Sequence, residues 1–385
     1  MGLKKLLKSV VVAGALLTAV QPLAINAQDA FTIGGNFELS GATASYGTPM
    51  SNGVKLAVKH ANEAGGVLGQ EVEYVEYDNR SDLTESASVA QRLVNEDVLA
   101  IVGPATSGDV KAAIPVINEG GVTTVAPAAT LDGITLSESG EVFEYFFRVN
   151  FEDSYQATAA AQYAVDELGL SKAAIVSDQS SDYSLGLTSA FESKFTELGS
   201  EVVATQSIQA GETDFSAVLT SLLAQDFDVL YVPVYYTEAG LFIKQAREMG
   251  ITQPIIGGDG FHSPTLVELA EAQNASDVYF TSHFSTDSED PKVQDFLAAY
   301  EEEFGQEADT FAALAYDAAN LIFDAAERGG EADRDAIKDA VASTDNFEGI
   351  TGTFAIDENH DPIKPALMLE LQEGEIVSSQ PVSAE

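Results

Sequence analysis

Residues 99–130 read LAIVGPATSGDVKAAIPVINEGGVTTVAPAAT, and their pattern decides the fold class. Leu99 to Val102 is a short apolar run that Gly103-Pro104 breaks. Asp109 to Asn118 follows with helical spacing, and Thr123 to Ala126 is a second apolar run, closed by Pro127. Strands separated by a single helix require right-handed crossovers, and the arrangement that satisfies them is a parallel sheet covered on both faces.

The same unit repeats in both directions. Upstream, Phe31 to Phe37 and Glu71 to Tyr77 read as strands, and Glu85 to Asn95 as a helix. Met50 to Ala64 reads as a helix with Val54, Ala57, Val58 and Ala61 on one face. After Phe147-Arg148-Val149-Asn150 the pattern restarts, with helices over 154–168, 185–198, 215–224 and 238–249 between strands over 173–177, 201–206, 228–233 and 254–257. Two similar halves imply two similar lobes. Beyond a strand over Tyr279 to His283 the chain turns helical (Val293 to Phe304, Phe311 to Glu327, Asp333 to Ala342). It ends in a hairpin-like pair, Thr353 to Ile356 and Ala366 to Leu371, joined through the turn-rich residues Asp357 to Pro362. The expected fold is α/β: two doubly wound parallel-sheet lobes joined by three short crossings near Val149, Ser282 and Gly349. That divides the chain into 28–148 plus 282–348 for the N-terminal lobe and 149–281 plus 349–385 for the C-terminal lobe.

The N-terminus reads differently. Lys4, Lys5 and Lys8 precede an apolar stretch from Val10 to Val20, and Ile25-Asn26-Ala27 resembles a cleavage site. This is the pattern of a secretory signal peptide over residues 1–27, with an apolar run too short to span a bilayer. Its removal takes away three lysines and no acid, shifting the formal charge from −43 to −46. A surface that negative repels phosphate backbones and anionic headgroups, so nucleic acid is excluded as a partner. Cysteine is absent, which rules out disulfides, a thiol nucleophile and a lipid-anchored N-terminal cysteine. The expectation is a soluble, monomeric protein of the periplasm. The 20 Phe, the 13 Tyr and a 45% hydrophobic composition supply a core that disordered acidic chains lack, so the charge reads as adaptation to a saline exterior.

In open parallel sheets, ligands bind beyond the carboxyl ends of the strands. The loop after 99–102 holds Ser107, whose hydroxyl either caps the following helix or meets an anion at its first amides. The loop after 123–126 holds Ala128 and Thr130. In the second half, the corresponding loops hold Tyr183, then Tyr235 and Tyr236, then Asp259 between two glycines. A carboxylate beside aromatic rings suits an ammonium. Taken singly, each tyrosine is more often a packed aromatic and Asp-Gly a turn, but all of them fall on strand-end loops.

Other constellations are weak. Asp259, His262 and Ser263 have the residue types of a hydrolase triad but crowd into one turn, and there is no G-x-S-x-G elbow. The histidines at 60, 262, 283 and 360 lack zinc-ligand spacing. Asp357 to Asp361 lacks the glycine and glutamate of a calcium loop, and no phosphate-binding P-loop occurs. The reading is therefore not an enzyme, with no metal and no cofactor.

Several short motifs, in order and over nearly the whole mature chain, carry a resemblance. They are Asn62 with Gly65-Gly66-Val67-Leu68-Gly69, Tyr77-Asp78, Gly103-Pro104 with Ser107, Pro127-Ala128-Ala129-Thr130, Gln245-Ala246-Arg247, Gly257-Gly258-Asp259-Gly260 and Tyr316-Asp317-Ala318. The chain resembles the periplasmic branched-chain amino-acid binding proteins of ABC transporters, which have the two-lobed Venus-flytrap, type I binding-protein fold. The resemblance implies that Ser107, Ala128 and Thr130 hold a ligand α-carboxylate and that Asp259 holds the α-ammonium beside Tyr183 and Tyr235. It implies that Tyr46 and Phe311 wall the side-chain pocket, and that the partner is an ABC permease. The acid is Asp where some relatives have Glu, so the ammonium sits closer or binds through water. The adjacent Tyr235-Tyr236 pair leaves open which ring faces the ligand.

Overall fold

The computed structural model describes residues 30–384. The signal-peptide expectation lies outside them. The first half runs β1 (Phe31–Phe37), α1 (Ala44–Glu63), β2 (Val72–Asp78), α2 (Leu83–Asn95), β3 (Ala100–Val102), α3 (Ser107–Gly120), β4 (Thr123–Ala126) and β5 (Phe146–Arg148). The second half runs α4 (Asp153–Gln162), β6 (Lys172–Asp178), α5 (Asp182–Glu197), β7 (Glu201–Ile208), α6 (Ser216–Leu222), β8 (Val229–Tyr231), α7 (Tyr236–Glu248), β9 (Ile255–Gly257), α8 (Pro264–Ala270) and β10 (Val278–Ser282). Then come α9 (Pro291–Phe304), α10 (Thr310–Gly329), α11 (Arg334–Ala342), β11 (Phe347–Gly349), β12 (Gly352–Ile356), β13 (Pro362–Ile363), β14 (Ala366–Gln372) and β15 (Glu375–Val382).

Two sheets organise the molecule. The first has the order β2-β1-β3-β4-β5 and is parallel throughout. The second has the order β15-β14-β10-β9-β8-β6-β7, parallel from β7 to β10. Strands β3, β4, β8 and β9 are buried along their whole length, as expected where helices cover both faces. In each sheet the strand order reverses once, between β1 and β3 and again between β6 and β8, and such a switch point opens a crevice beyond the strand ends.

Local chemistry sets the helix starts. Asp82 caps α2 by accepting the Thr84 and Glu85 amides, and Val89, Ala90 and Leu93 turn that helix's apolar face inward. The cap of α3 is Thr106, whose Oγ1 accepts the Asp109 amide, and not Ser107, which is the first residue of the helix. The helix expected over 154–168 is α-helical only to Gln162 and then widens into a π turn at Tyr163–Glu167. Helix α1 starts at Ala44, six residues before the expected Met50, with Pro49 near its N-terminus.

The C-terminal hairpin expectation is corrected. Strand β12 pairs with β11 and with the two-residue β13, so the turn at Asp357 to Pro362 closes that smaller sheet. Strand β14 instead lies antiparallel to β10 at the margin of the second sheet, with Val278 opposite Leu371, and pairs with β15 on its other side. Apolar alternation in 366–372 told strand from helix but not which neighbour it would choose. Met368, Leu369 and Leu371 are buried there, a burial that the short β12 could not supply.

Candidate functional site

Strand-end loops of both sheets meet around one small cavity of about 20 Å³. Tyr46, Ser107, Ala128, Tyr183, Tyr235, Asp259 and Phe311 line it. So do Met50, Ala105, Thr106 and Gly260, the last from the Gly257-Gly258-Asp259-Gly260 motif. Thr130 is brought close but stands behind the wall. It is fully buried, and its carbonyl accepts the Asp153 amide at 2.7 Å.

On the first-sheet side, Gly103 makes the turn out of β3 with φ +103°, and a Cβ there would lie 2.2 Å from the Asn36 carbonyl oxygen. The amides of Ala105 and Thr106 are occupied from below by the Glu38 carboxyl, at 3.1 and 3.0 Å. Burial pushes Glu38 up to about 8, with the nearby Asp109 charge adding to the shift and those two amides reducing it. Burial raises Asp109 as well. Its Oδ2 accepts the Thr106 hydroxyl at 2.6 Å. At neutral pH a proton is thus retained beneath the loop, which limits the negative charge behind it. The Ser107 hydroxyl, freed from capping, accepts the Leu131 amide at 3.3 Å and ties the two loops of this side together.

On the second-sheet side, Asp259 is buried in a turn of 3-10 helix directly after β9. Its Oδ1 accepts from Tyr183 at 2.9 Å and from Gln156 Nε2 at 3.0 Å. Gln156 also donates to Asp153 at 3.2 Å, while its own Oε1 accepts the Asp259 amide and the Thr281 hydroxyl. One glutamine therefore holds two carboxyl groups. Burial pushes Asp153 well above the carboxylate range; the Thr130 hydroxyl lessens the shift and the Asp259 charge adds to it. His283 Nε2 lies 3.5 Å from Asp259 Oδ2, and burial holds His283 down to about 4, so that ring is uncharged at neutral pH. Two carboxyl groups thus sit together on this side, joined through Gln156.

Aromatic rings form the remaining wall. Tyr183 stacks on Tyr235 with centroids 5.0 Å apart, and Tyr46 packs on Phe311 at 4.6 Å. Gly260 has to be glycine-sized here, because a Cβ would meet the Tyr183 and Tyr46 hydroxyls at 3.0 and 3.1 Å. Of the adjacent tyrosines, Tyr235 lines the cavity, and Tyr236 reaches across to the start of α1. Asp153 and Gln156 escaped the sequence reading because they lie on α4, just after the crossing at Val149, rather than on a strand-end loop. Met50 escaped because a methionine on a buried helix face carries no distinguishing signal.

Among the described residues, no helix is long and apolar enough to cross a membrane, and no group of three His, Asp or Glu side chains is arranged to hold a metal. The periplasmic binding protein family model matches residues 30–375. The Leu/Ile/Val-binding protein homolog 1 of Brucella abortus (strain 2308) is 29% identical over 356 residues, covering 92% of this chain and 94% of that protein. The crystal structure of LivJ, a branched-chain amino acid transporter substrate-binding protein from Streptococcus pneumoniae in complex with isoleucine, is similar with a TM-score of 0.87. It shares 41% identity over 92% of this chain and 99% of that one. The leucine-binding protein LivK of Thermotoga maritima is 34% identical, with a TM-score of 0.84 over 91% of this chain and 98% of its own. Neighbours at 24% identity include a Rhodopseudomonas palustris solute-binding protein in complex with 3,4-dihydroxybenzoic acid, a likeness of fold alone. These proteins bind solutes and are not enzymes; the chain belongs to the periplasmic binding protein family, with the type I fold.

Proposed function

We propose that the protein captures an aliphatic L-amino acid between its two lobes and delivers it to an ABC permease. The observation that carries this reading is the opposition across one cavity of Ser107 and Ala128, on loops of the first sheet, and the Asp259–Tyr183 pair, on loops of the second. The first side offers the Ser107 hydroxyl, at the start of α3, to a carboxylate. The second offers a carboxylate and phenols suited to an ammonium, and Tyr46, Met50 and Phe311 offer an apolar wall for a side chain. Thr130 acts from behind the wall, beside Asp153. The names of the relatives support the same ligand class.

In this reading residues 28–148 with 282–348 form the lobe that binds first, and residues 149–281 with 349–385 form the lobe that closes over the ligand. Ligand contacts on both sides shift the population toward the closed form, which the permease recognises. Residues 1–27 direct export to the periplasm. A ligand without an ammonium, such as an amide or an aromatic acid, leaves Asp259 enclosed without a cationic partner, which is costly. A thermal-shift panel of the common amino acids, amides and aromatic acids tests the proposal. Stabilisation by leucine, isoleucine or valine is the expected result, and stabilisation by aromatic acids or amides alone would refute it.

A further inference from the structure

Two helices begin at the face where the lobes meet, and neither is capped by the residue before it. Thr43 precedes α1 and Tyr235 precedes α7, and neither side chain bonds to the first-turn amides. By contrast, Asp82, Thr106, Ser181 and Asp309 cap α2, α3, α5 and α10 in the ordinary way. First-turn amides have no partner inside their own helix and need one from elsewhere.

At α1 and α7 the partner comes from the opposite side of the cleft. The Tyr236 hydroxyl accepts the Ser45 amide at 3.1 Å and donates to the Ala42 carbonyl at 3.0 Å. The Tyr46 hydroxyl accepts the Tyr236 amide at 3.1 Å and donates to the Gly260 carbonyl at 2.7 Å. Each tyrosine sits in the first turn of one helix and caps the other. Their rings meet edge to face, 4.8 Å apart at 89°, and the Ser45 and Thr265 hydroxyls add a contact at 3.0 Å.

We infer that this reciprocal exchange is an interlobe latch, and that Tyr236 is a positioning residue for ligand capture although it does not line the cavity. The four hydrogen bonds contain no ligand atom. Opening the cleft breaks all of them and returns both helix starts to water, so the latch favours closure whether or not ligand is present. Affinity then depends on the latch through the fraction of closed molecules. The ligand named in the test rests on the functional reading above; the latch geometry does not.

The experiment compares wild type with Tyr236→Phe, which removes both hydroxyl bonds and keeps the ring. Because the chain has no cysteine, spin labels are placed cleanly with Glu119→Cys on α3 and Glu192→Cys on α5, both exposed and one on each lobe. Pulsed EPR distances on ligand-free protein should shift to longer separations in the variant. The leucine dissociation constant should rise about tenfold, the effect expected from losing a helix cap, through faster dissociation at an unchanged association rate. Thr265→Val, should Tyr236→Phe fold poorly, predicts a smaller shift in the same direction. An unchanged ligand-free distance distribution overturns the latch, even if affinity falls. If wild type binds no aliphatic amino acid, the functional reading fails while the label distances still decide the latch.

Discussion

The first sheet brings small and hydroxyl side chains to the cavity at Ala105 to Ser107 and Ala128, whereas the second brings a carboxyl group and phenols at Asp259, Tyr183 and Tyr235. Both lobes follow one winding plan, so the difference arises entirely in the loops after the strands. Each side also carries a second acid out of reach of the cavity. Glu38, just after β1, occupies two amides of the loop after β3, while Asp153 shares Gln156 with Asp259. Burial raises both Glu38, to about 8, and Asp153, so the two carry less negative charge than an exposed carboxylate would. Of these three buried acids, only Asp259 lines the cavity, while Glu38 and Asp153 are engaged with other parts of the protein.

The largest expected effect breaks the second side. Asp259→Asn should weaken leucine binding by more than about 100-fold, since an enclosed ammonium without a charged partner costs roughly 3 kcal/mol or more. Titration calorimetry measures it, with the thermal midpoint of the ligand-free variant confirming the fold. Next comes the first side, probed from the ligand. Leucinamide should bind roughly 10- to 100-fold more weakly than leucine, because donors aimed at a carboxylate lose their anion at ~1 to 3 kcal/mol each. Asp153→Asn sharpens the comparison by a near absence of effect. Burial disfavours a charge on Asp153, and the amide keeps an oxygen to accept from Gln156, so affinity at neutral pH should stay within about threefold of wild type. A loss as large as that of Asp259→Asn would make Asp153 a second charged partner.

Glu38 gives a pH signature for the first lobe. Its folded-state value lies near 8 against an ordinary 4.5, so the native state retains a proton that the unfolded chain releases. The stability it contributes is fully present below about pH 4.5 and is lost as pH rises to about 8. Glu38→Gln should lower the thermal midpoint overall, because an amide cannot accept both backbone N–H groups, yet flatten its decline across that window. The smallest effect concerns neither lobe in particular. With a formal charge of −43 on the whole chain, the thermal midpoint of the ligand-free mature protein should rise as NaCl shortens the screening length from ~30 Å at ~0.01 M to ~3 Å at ~1 M. A flat or falling midpoint would detach the acidic surface from salt tolerance.

The alternation that starts at residues 99–130 made the doubly wound sheets legible, because apolar runs of strand length between single helices leave few packings open. The strand-end loops were legible for the same reason, and Ser107, Ala128, Tyr183, Tyr235 and Asp259 followed from them. What the sequence hid was non-local. The choice of β14 to join β10 rather than β12 depends on which surface needs covering. The placement of Asp153 and Gln156 depends on where α4 docks after the crossing. Tyr235 and Tyr236 are neighbours at a helix start, and their different surroundings, Tyr183 for one and the Ala42 carbonyl for the other, depend on packing that adjacency in sequence does not show.

The central claim is that the second lobe recognises an ammonium through Asp259. Its most direct test is the preference for leucine over 4-methylpentanoate, the same skeleton without the amine, measured by calorimetry on wild type and on Asp259→Asn. Wild type should prefer leucine by more than about 100-fold, and the variant should lose that preference to within about tenfold. A preference that survives the substitution unchanged would contradict the account.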